Sequence, residues 1–316
     1  MVQNNILKYL RSSDDYLSGE EISRKLNISR AGIWKNIQEL RKKGYAIDAV
    51  THKGYMLRAA PDKLLPQEVQ SHLNTQCVGQ NMFHHETITS TMDEAFKLGL
   101  DNAADGTVVC AEGQSQGRGR LGRQWQSPKG KGIYASLILR PNIVATDAAK
   151  LTLMAGVAIY EAIKKVCDVD LSIKWPNDLL IDGKKVCGVL TEMNAQMECV
   201  NFVVIGFGIN VNTSTRQILP QGTSLKIETG TFVSRLELFQ EVLRSFDRWY
   251  VCVKEKGFVS VLEQWREYTS TLGRQVRIQD VEGEAIDIDE FGGLMIRTKQ
   301  GVVVRRMSGD VLEIGS

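Results

Sequence analysis

Apolar residues recur at helical spacing through the first forty residues. Val2, Ile6, Leu7 and Leu10 share one face, Ile22 and Leu26 a second, and Ile33, Ile37 and Leu40 a third. Ser18 stands before the second stripe with Glu21 in the capping-box position, and Ser29 is placed to cap the third. Asn27-Ile28-Ser29 leaves room only for a short turn. Residues 19–38, from Gly19 to Gln38, therefore predict a helix-turn-helix. Arg30, Trp34, Lys35 and Asn36 fall off the inner stripe, while the Met, Trp and Tyr residues of this region read as packing. Residues 44–48 and 55–57 predict two short strands around Thr51-His52-Lys53-Gly54, a wing. Pro61 and Pro66 oppose a continuous helix and mark a linker.

From Met82 the pattern becomes that of a mixed α/β body. Residues 83–88, 106–111, 132–139, 171–174, 179–181, 186–193 and 200–205 read as strands. A helix is expected over 92–98, ended by Gly99, and a longer one over 146–166. Asp182-Gly183 predicts a tight hairpin. Helices over 232–253 and 258–268 precede five short strands punctuated by glycine, which suggest a small SH3-like barrel. The fold class expected is thus a multi-domain α+β protein: residues 1–60 a winged helix-turn-helix, 61–66 a linker, 67–270 the body and 271–316 the barrel.

Charge sharpens this division. The chain of 316 residues carries a formal +2, but residues 1–60 hold eleven Lys/Arg against six Asp/Glu. A basic module joined to a near-neutral body points to nucleic acid for the first part. Ser29, Arg30 and Lys35 would face a major groove, with His52 and Lys53 of the wing on phosphates. The six cysteines are scattered without metal-ligand spacing and read as reduced, and no metal site is expected. With no apolar run long enough for a membrane span and no leader pattern, a soluble cytoplasmic protein is expected.

The chemistry concentrates in Gly117-Arg118-Gly119-Arg120-Leu121-Gly122-Arg123. Glycine admits close approach to the backbone, and arginine offers a planar fork of donors to carboxylate and phosphate oxygens. Neither the Walker nor the dinucleotide spacing is present. Lys174 ends a strand before Trp175-Pro176-Asn177-Asp178, and Gly206-Phe207-Gly208-Ile209-Asn210 lets something approach another strand end. On residues alone, Lys174 also reads as a solvated strand-end lysine, and Ser90 and Thr91 as helix caps as readily as ligand partners. No nucleophile–base set or close carboxylate pair stands out, so the chemistry suggested is the holding of anions.

The Gly/Arg loop and Lys174-Trp175-Pro176-Asn177-Asp178 together resemble the biotin–protein ligases. The domain order resembles the bifunctional members that also repress biotin operons, over essentially the whole chain. The resemblance implies that biotin and Mg²⁺-ATP give biotinyl-5′-AMP, that biotin then passes to a lysine of the biotin carboxyl carrier protein of acetyl-CoA carboxylase, and that the adenylate is the corepressor favouring a homodimer on operator DNA. It assigns biotin to Ser90, Thr91, Met92, Gln114, Arg118, Gly119, Arg120 and Lys174. It assigns ATP and the adenylate to Arg118, Arg120, Arg123, Lys174, Asn177, Gly206, Gly208 and Asn210, with Lys174 and Arg118 as the catalytic pair. Two departures stand out. Met92 occupies a position where the family usually has asparagine, and Gln221-Gly222-Thr223-Ser224-Leu225 offers no aromatic to adenine. The alternatives are a lipoate–protein ligase sharing the adenylate chemistry, a repressor that only senses a ligand, and a ligase whose winged helix no longer binds DNA.

Overall fold

Local signals set the boundaries of the first unit. In a computed structural model describing residues 2–197 and 199–314, helices α1 (Val2–Arg11), α2 (Gly19–Leu26) and α3 (Arg30–Lys42) bury Ile6, Leu7, Leu10, Ile22, Ile33, Ile37 and Leu40. Ser18 accepts a hydrogen bond from Glu21 N, Ser29 accepts one from Gly32 N, and Asn27 closes α2 in the left-handed region at φ 54°. Those caps fix a short turn between α2 and α3. Strands β1 (Ala46–Val50) and β2 (Gly54–Ala59) pair antiparallel as the wing, with Val50 opposite Gly54. Trp34 departs from the packing expected of it: it is 58% exposed. The chain divides into two compact units between Lys63 and Leu64.

The second unit is built on a seven-stranded mixed sheet. Its strands are β3 (Met82–His85), β4 (Thr107–Ala111), β5 (Gly132–Leu139), β6 (Leu171–Lys174), β7 (Asp178–Ile181), β8 (Lys184–Gln196) and β9 (Cys199–Asn210). Their order is β3-β4-β5-β9-β8-β7-β6, with only β3–β4 parallel. Short α4 (Pro66–Val69) precedes the sheet, and α7 (Leu225–Thr229) follows it. Alternation along β4 sends Val109 toward α5 (Thr91–Leu100) on one face. Val108 and Cys110 face the core built with α6 (Ala148–Val166), α8 (Arg235–Lys256) and α9 (Val259–Tyr268).

Two sequence expectations change. Gly99 does not end its helix but lies inside α5, where a Cβ would collide with the Phe202 ring, so it serves close packing. The strand expected over 200–205 does not stop at Ile205 but runs from Cys199 to Asn210. Residues 206–210 continue β9, paired with β5 on one side and β8 on the other.

The last five strands, β10 (Gln275–Ile278), β11 (Val281–Ile288), β12 (Leu294–Arg297), β13 (Val303–Arg306) and β14 (Leu312–Glu313), form an antiparallel sheet in the order β13-β12-β11-β10-β14. Its inward residues Val276, Ile278, Ala285, Leu294, Ile296 and Val311 join the same core as α6 and α8. Trp175 fastens the two: its N–H donates to Thr271 Oγ1 at 2.9 Å and its indole to the Gly292 carbonyl at 3.1 Å. Among the described residues, no helix is long and apolar enough to cross a membrane.

Candidate active site

A cleft opens over the middle of the large sheet, and its floor is glycine. Gly206 and Gly208 of β9 and Gly188 of β8 line it beside Ala135 of β5. A Cβ on Gly206 would strike Met92 Sδ, and one on Gly208 would strike the Trp125 indole. The glycine-rich strand thus admits two side chains of this same protein, Met92 and Trp125, flat against its backbone. The Trp125 indole nitrogen is buried there without a hydrogen-bond partner among the described residues.

At the start of α5 a chain of neutral polar groups adjoins the cleft. Ser90 caps the helix, accepting from Met92 N at 3.2 Å. It is buried and does not line the cleft, so its part is to fix the helix start. Thr91 donates both its N–H (2.8 Å) and its hydroxyl (3.1 Å) to Gln114 Oε1. Ser136 donates to Thr91 Oγ1 at 2.9 Å, and Gln114 Nε2 donates to Ser127 Oγ at 2.9 Å. Each member holds the next, which pre-sets a neutral set of donors and acceptors for a polar head.

The other lining is cationic. The Gly/Arg segment folds back on itself: Trp125 N donates to the Gly117 carbonyl at 2.8 Å, and Gly119 N to the Arg123 carbonyl at 2.7 Å. Leu121 (φ 55°) and Gly122 (φ 72°) make the turn. Arg118 donates to Asp93 Oδ1 at 2.8 Å and pairs with Glu192, while Arg123 pairs with Asp310. Arg120 donates to Asn177 Oδ1 at 2.8 Å, and Asn177 is itself fixed by donating to the Val189 carbonyl at 2.8 Å.

Lys185 is the lysine of the cleft. Its Nζ lies 2.6 Å from Asp178 Oδ1, a contact of charges whose angle is not that of a hydrogen bond, and 5.4 Å from the centre of the Trp125 ring. Lys174 does not line the cleft; it ends β6, the edge strand, opposite Asp178. Lys174, expected at the anion site, is thus not among the residues lining the cleft, whereas Lys185, for which no role was expected, is. Lys184 and Lys185 follow the Asp182-Gly183 hairpin as neighbours, and successive strand residues point to opposite faces. Lys184 goes to solvent and Lys185 inward. Asn210 also stands apart: it donates to the Thr223 carbonyl at 3.0 Å and lines an adjoining recess with Trp125, Lys185 and Gln221.

Arg118, Arg123 and Lys185 thus each carry an acid partner, whereas the contacts of Arg120 are an amide and, at 3.4 Å, the Gly309 carbonyl. Among the described residues, an incoming anion has no carboxylate to displace at Arg120 and must compete with one at the other three. The lining thus combines neutral hydrogen-bonding groups with four cationic side chains, Arg118, Arg120, Arg123 and Lys185.

Three family models match in sequence order. A helix-turn-helix domain covers residues 2–56, the biotin/lipoate A/B protein ligase family covers 84–210, and the biotin protein ligase C-terminal domain covers 271–312. The bifunctional ligase/repressor BirA of Bacillus subtilis is 38% identical over 302 residues, 93% of each chain. That of Escherichia coli is 28% identical over 311 residues, covering 96% of this chain and 94% of its own. Among solved structures, a biotin protein ligase from Aquifex aeolicus in complex with biotin and ATP superposes with a TM-score of 0.65 at 30% identity, covering 75% of this chain and all of its own. Module order, cleft and near-full-length likeness agree: the chain belongs to the BirA family of bifunctional ligase/repressors.

Proposed function

We infer that this protein activates biotin with ATP and passes it to a lysine of a carrier protein, and that its N-terminal unit represses transcription. The observation that carries the ligase reading is a glycine-floored cleft lined by both neutral polar groups and four cations. Thr91 and Gln114 offer the hydrogen bonds a ureido ring needs, while Met92 and the Trp125 face supply its apolar walls. The carboxylate then lies among Lys185, Arg118 and Arg120, where the triphosphate of Mg²⁺-ATP also comes. In water those charges repel; here the cations offset them, each charge-assisted hydrogen bond contributing about 1.5–3 kcal/mol.

A carboxylate oxygen attacks the α-phosphorus, the bond to the bridging oxygen breaks, and pyrophosphate leaves. In the second step a carrier lysine amine attacks the acyl carbon, loses its proton to solvent, and AMP departs. The cations stabilise the charge that builds on the phosphorus oxygens and on the leaving group in both steps. The carrier matching the relatives is the biotinyl subunit of acetyl-CoA carboxylase. The repressor form is a homodimer holding the adenylate on operator DNA, with α3 in the major groove.

Native mass spectrometry after incubation with Mg²⁺-ATP and biotin, with lipoate in a parallel tube, tests it. Retained biotinyl-5′-AMP is expected with biotin alone; adduct from lipoate, or from neither acid, overturns the substrate. Gly208→Ala tests the floor. The added methyl pushes the Trp125 ring out of place, and a shift of about 1 Å is expected to lower kcat/KM for biotin on the order of 100-fold. Unchanged kinetics in a folded variant would refute the role of the indole. Arg118→Ala is expected to slow adenylate formation about 10-fold or more with no loss of melting temperature, because its ion pairs are exposed.

A further inference from the structure

Of the groups expected to read bases, Ser29 is engaged as a cap, while Arg30 makes only an exposed ion pair that a phosphate can displace. Ser29 accepts from Gly32 N as a helix cap, and Arg30 is paired with Glu20 of α2. What α3 presents outward is a face of Arg30, Ala31, Trp34 and Lys35, all exposed and spaced at i, i+1, i+4 and i+5. Trp34 is the fifth residue of α3, in the half that enters a groove first, and it is 58% exposed while Ile33 beside it is wholly buried. An indole left in water at the centre of a basic helix face needs a partner that is anionic at its rim and apolar at its middle. The major groove supplies both: phosphates on either side, and the C5 methyl of thymine as the apolar group on its base edges. Ala31, one turn back, leaves room for the ring to reach that edge.

We propose that Trp34 is a sequence reader of this protein, packing its indole against a thymine methyl in the major groove, with Arg30 and Lys35 on the flanking phosphates. This rests on the reading of α2 and α3 as the DNA-binding element. The surplus of positive charge in residues 1–60 favours nucleic acid over an apolar protein partner.

The test uses the full-length protein with Mg²⁺-ATP and biotin and a random-sequence duplex library. Wild type and Trp34→Ala are carried through parallel rounds of selection. The wild-type consensus is then remade with each thymine replaced in turn by deoxyuridine, which removes only the methyl. One thymine position is expected at which deoxyuridine weakens wild type about 5-fold and the variant not at all, and the variant's consensus loses preference there. Salt-dependent binding to an unrelated duplex stays within about 2-fold, and Trp34→Phe restores part of the preference. The same consensus and affinity from Trp34→Ala, with its circular dichroism intact, overturn the proposal and leave Trp34 to a protein partner. A wild type that selects no consensus overturns the DNA-reading element itself, and the proposal with it.

Discussion

Lys185→Ala is expected to cut the rate of adenylate formation by about 100-fold to 1,000-fold, the usual cost of deleting one preorganised donor from a site where charge develops. Lys174→Ala, on the edge strand outside the cleft, is expected to stay within about 3-fold of wild type, as surface changes away from a site usually do. Pyrophosphate release with biotin and Mg²⁺-ATP measures both. The contrast is informative because the lysines lie only eleven positions apart and share an acidic neighbour: Asp178 is cross-strand from Lys174 and within 2.6 Å of the Lys185 ammonium. If Lys174→Ala collapses the rate and Lys185→Ala spares it, the cleft has been assigned to the wrong strand. Removing Lys185 also strips Asp178 of its charge partner, so the Lys185→Ala, Asp178→Asn double variant separates lost catalysis from an acid left beside the phosphates. A double variant as slow as the single one places the loss in the ammonium itself.

Glu112→Ala is expected to be strongly destabilising, about 3–5 kcal/mol, because it breaks a buried ion pair and takes an acceptor from Leu64 N and His84. Glu112 and Arg235 are each 1% exposed and lie 2.9 Å apart. The same carboxylate accepts from Leu64 N at 2.8 Å and lies 3.2 Å from His84 Nε2, while Arg235 donates to the Gly132 carbonyl at 3.2 Å. At about 2–4 °C per kcal/mol for a body of this size, melting should fall by roughly 6–20 °C. A drop below about 2 °C in scanning calorimetry would refute the assignment. The pair also carries a pH signature. Burial pushes the Glu112 carboxyl upward, but hydrogen bonding to His84 and the charge of Arg235 outweigh it, so its pKa sits below the ordinary value. A depressed carboxylate contributes its full stability above the unfolded value, about 4.3, and loses it as pH falls through the folded one. Urea unfolding between about pH 3 and 7 should therefore show a steeper acid limb in wild type than in Glu112→Gln.

What could be read in the sequence was whatever a short window decides. Strand β5 over 132–139 and β6 over 171–174 begin and end where their alternation does, and Ser18 and Ser29 cap the helices their side chains suit. The Gly/Arg loop, Thr91, Met92 and Gln114, singled out by the loop's chemistry and the family resemblance, line one cleft. What escaped was set at longer range. Nothing near Lys185 says that it and not Lys184 points inward. The choice depends on the pairing of β8 with β7, whose register shifts between Leu179 and Leu180, and a slip of one residue would exchange the two lysines. Gly206 and Gly208 carry no label naming Met92 and Trp125 as the groups they admit. The partner of Arg123 is Asp310, nearly the length of the body away in sequence. Trp34 misled in the opposite sense, since its composition argues for burial and only the position of the helix stripe argues against it.

The shared core of body and C-terminal sheet has a consequence for how the protein is made. Residues 1–63 hold their own apolar centre and are complete once they leave the ribosome. The body is not: Val276, Ile278, Leu294 and Val311 belong to the core beneath α6 and α8, and β10 gains its outer partner only when β14 has been synthesised. During vectorial synthesis the DNA-reading module is thus finished while the ligase still awaits its last strand. A nascent chain stalled before Leu312 would carry a formed N-terminal unit while β10 still lacked its β14 partner.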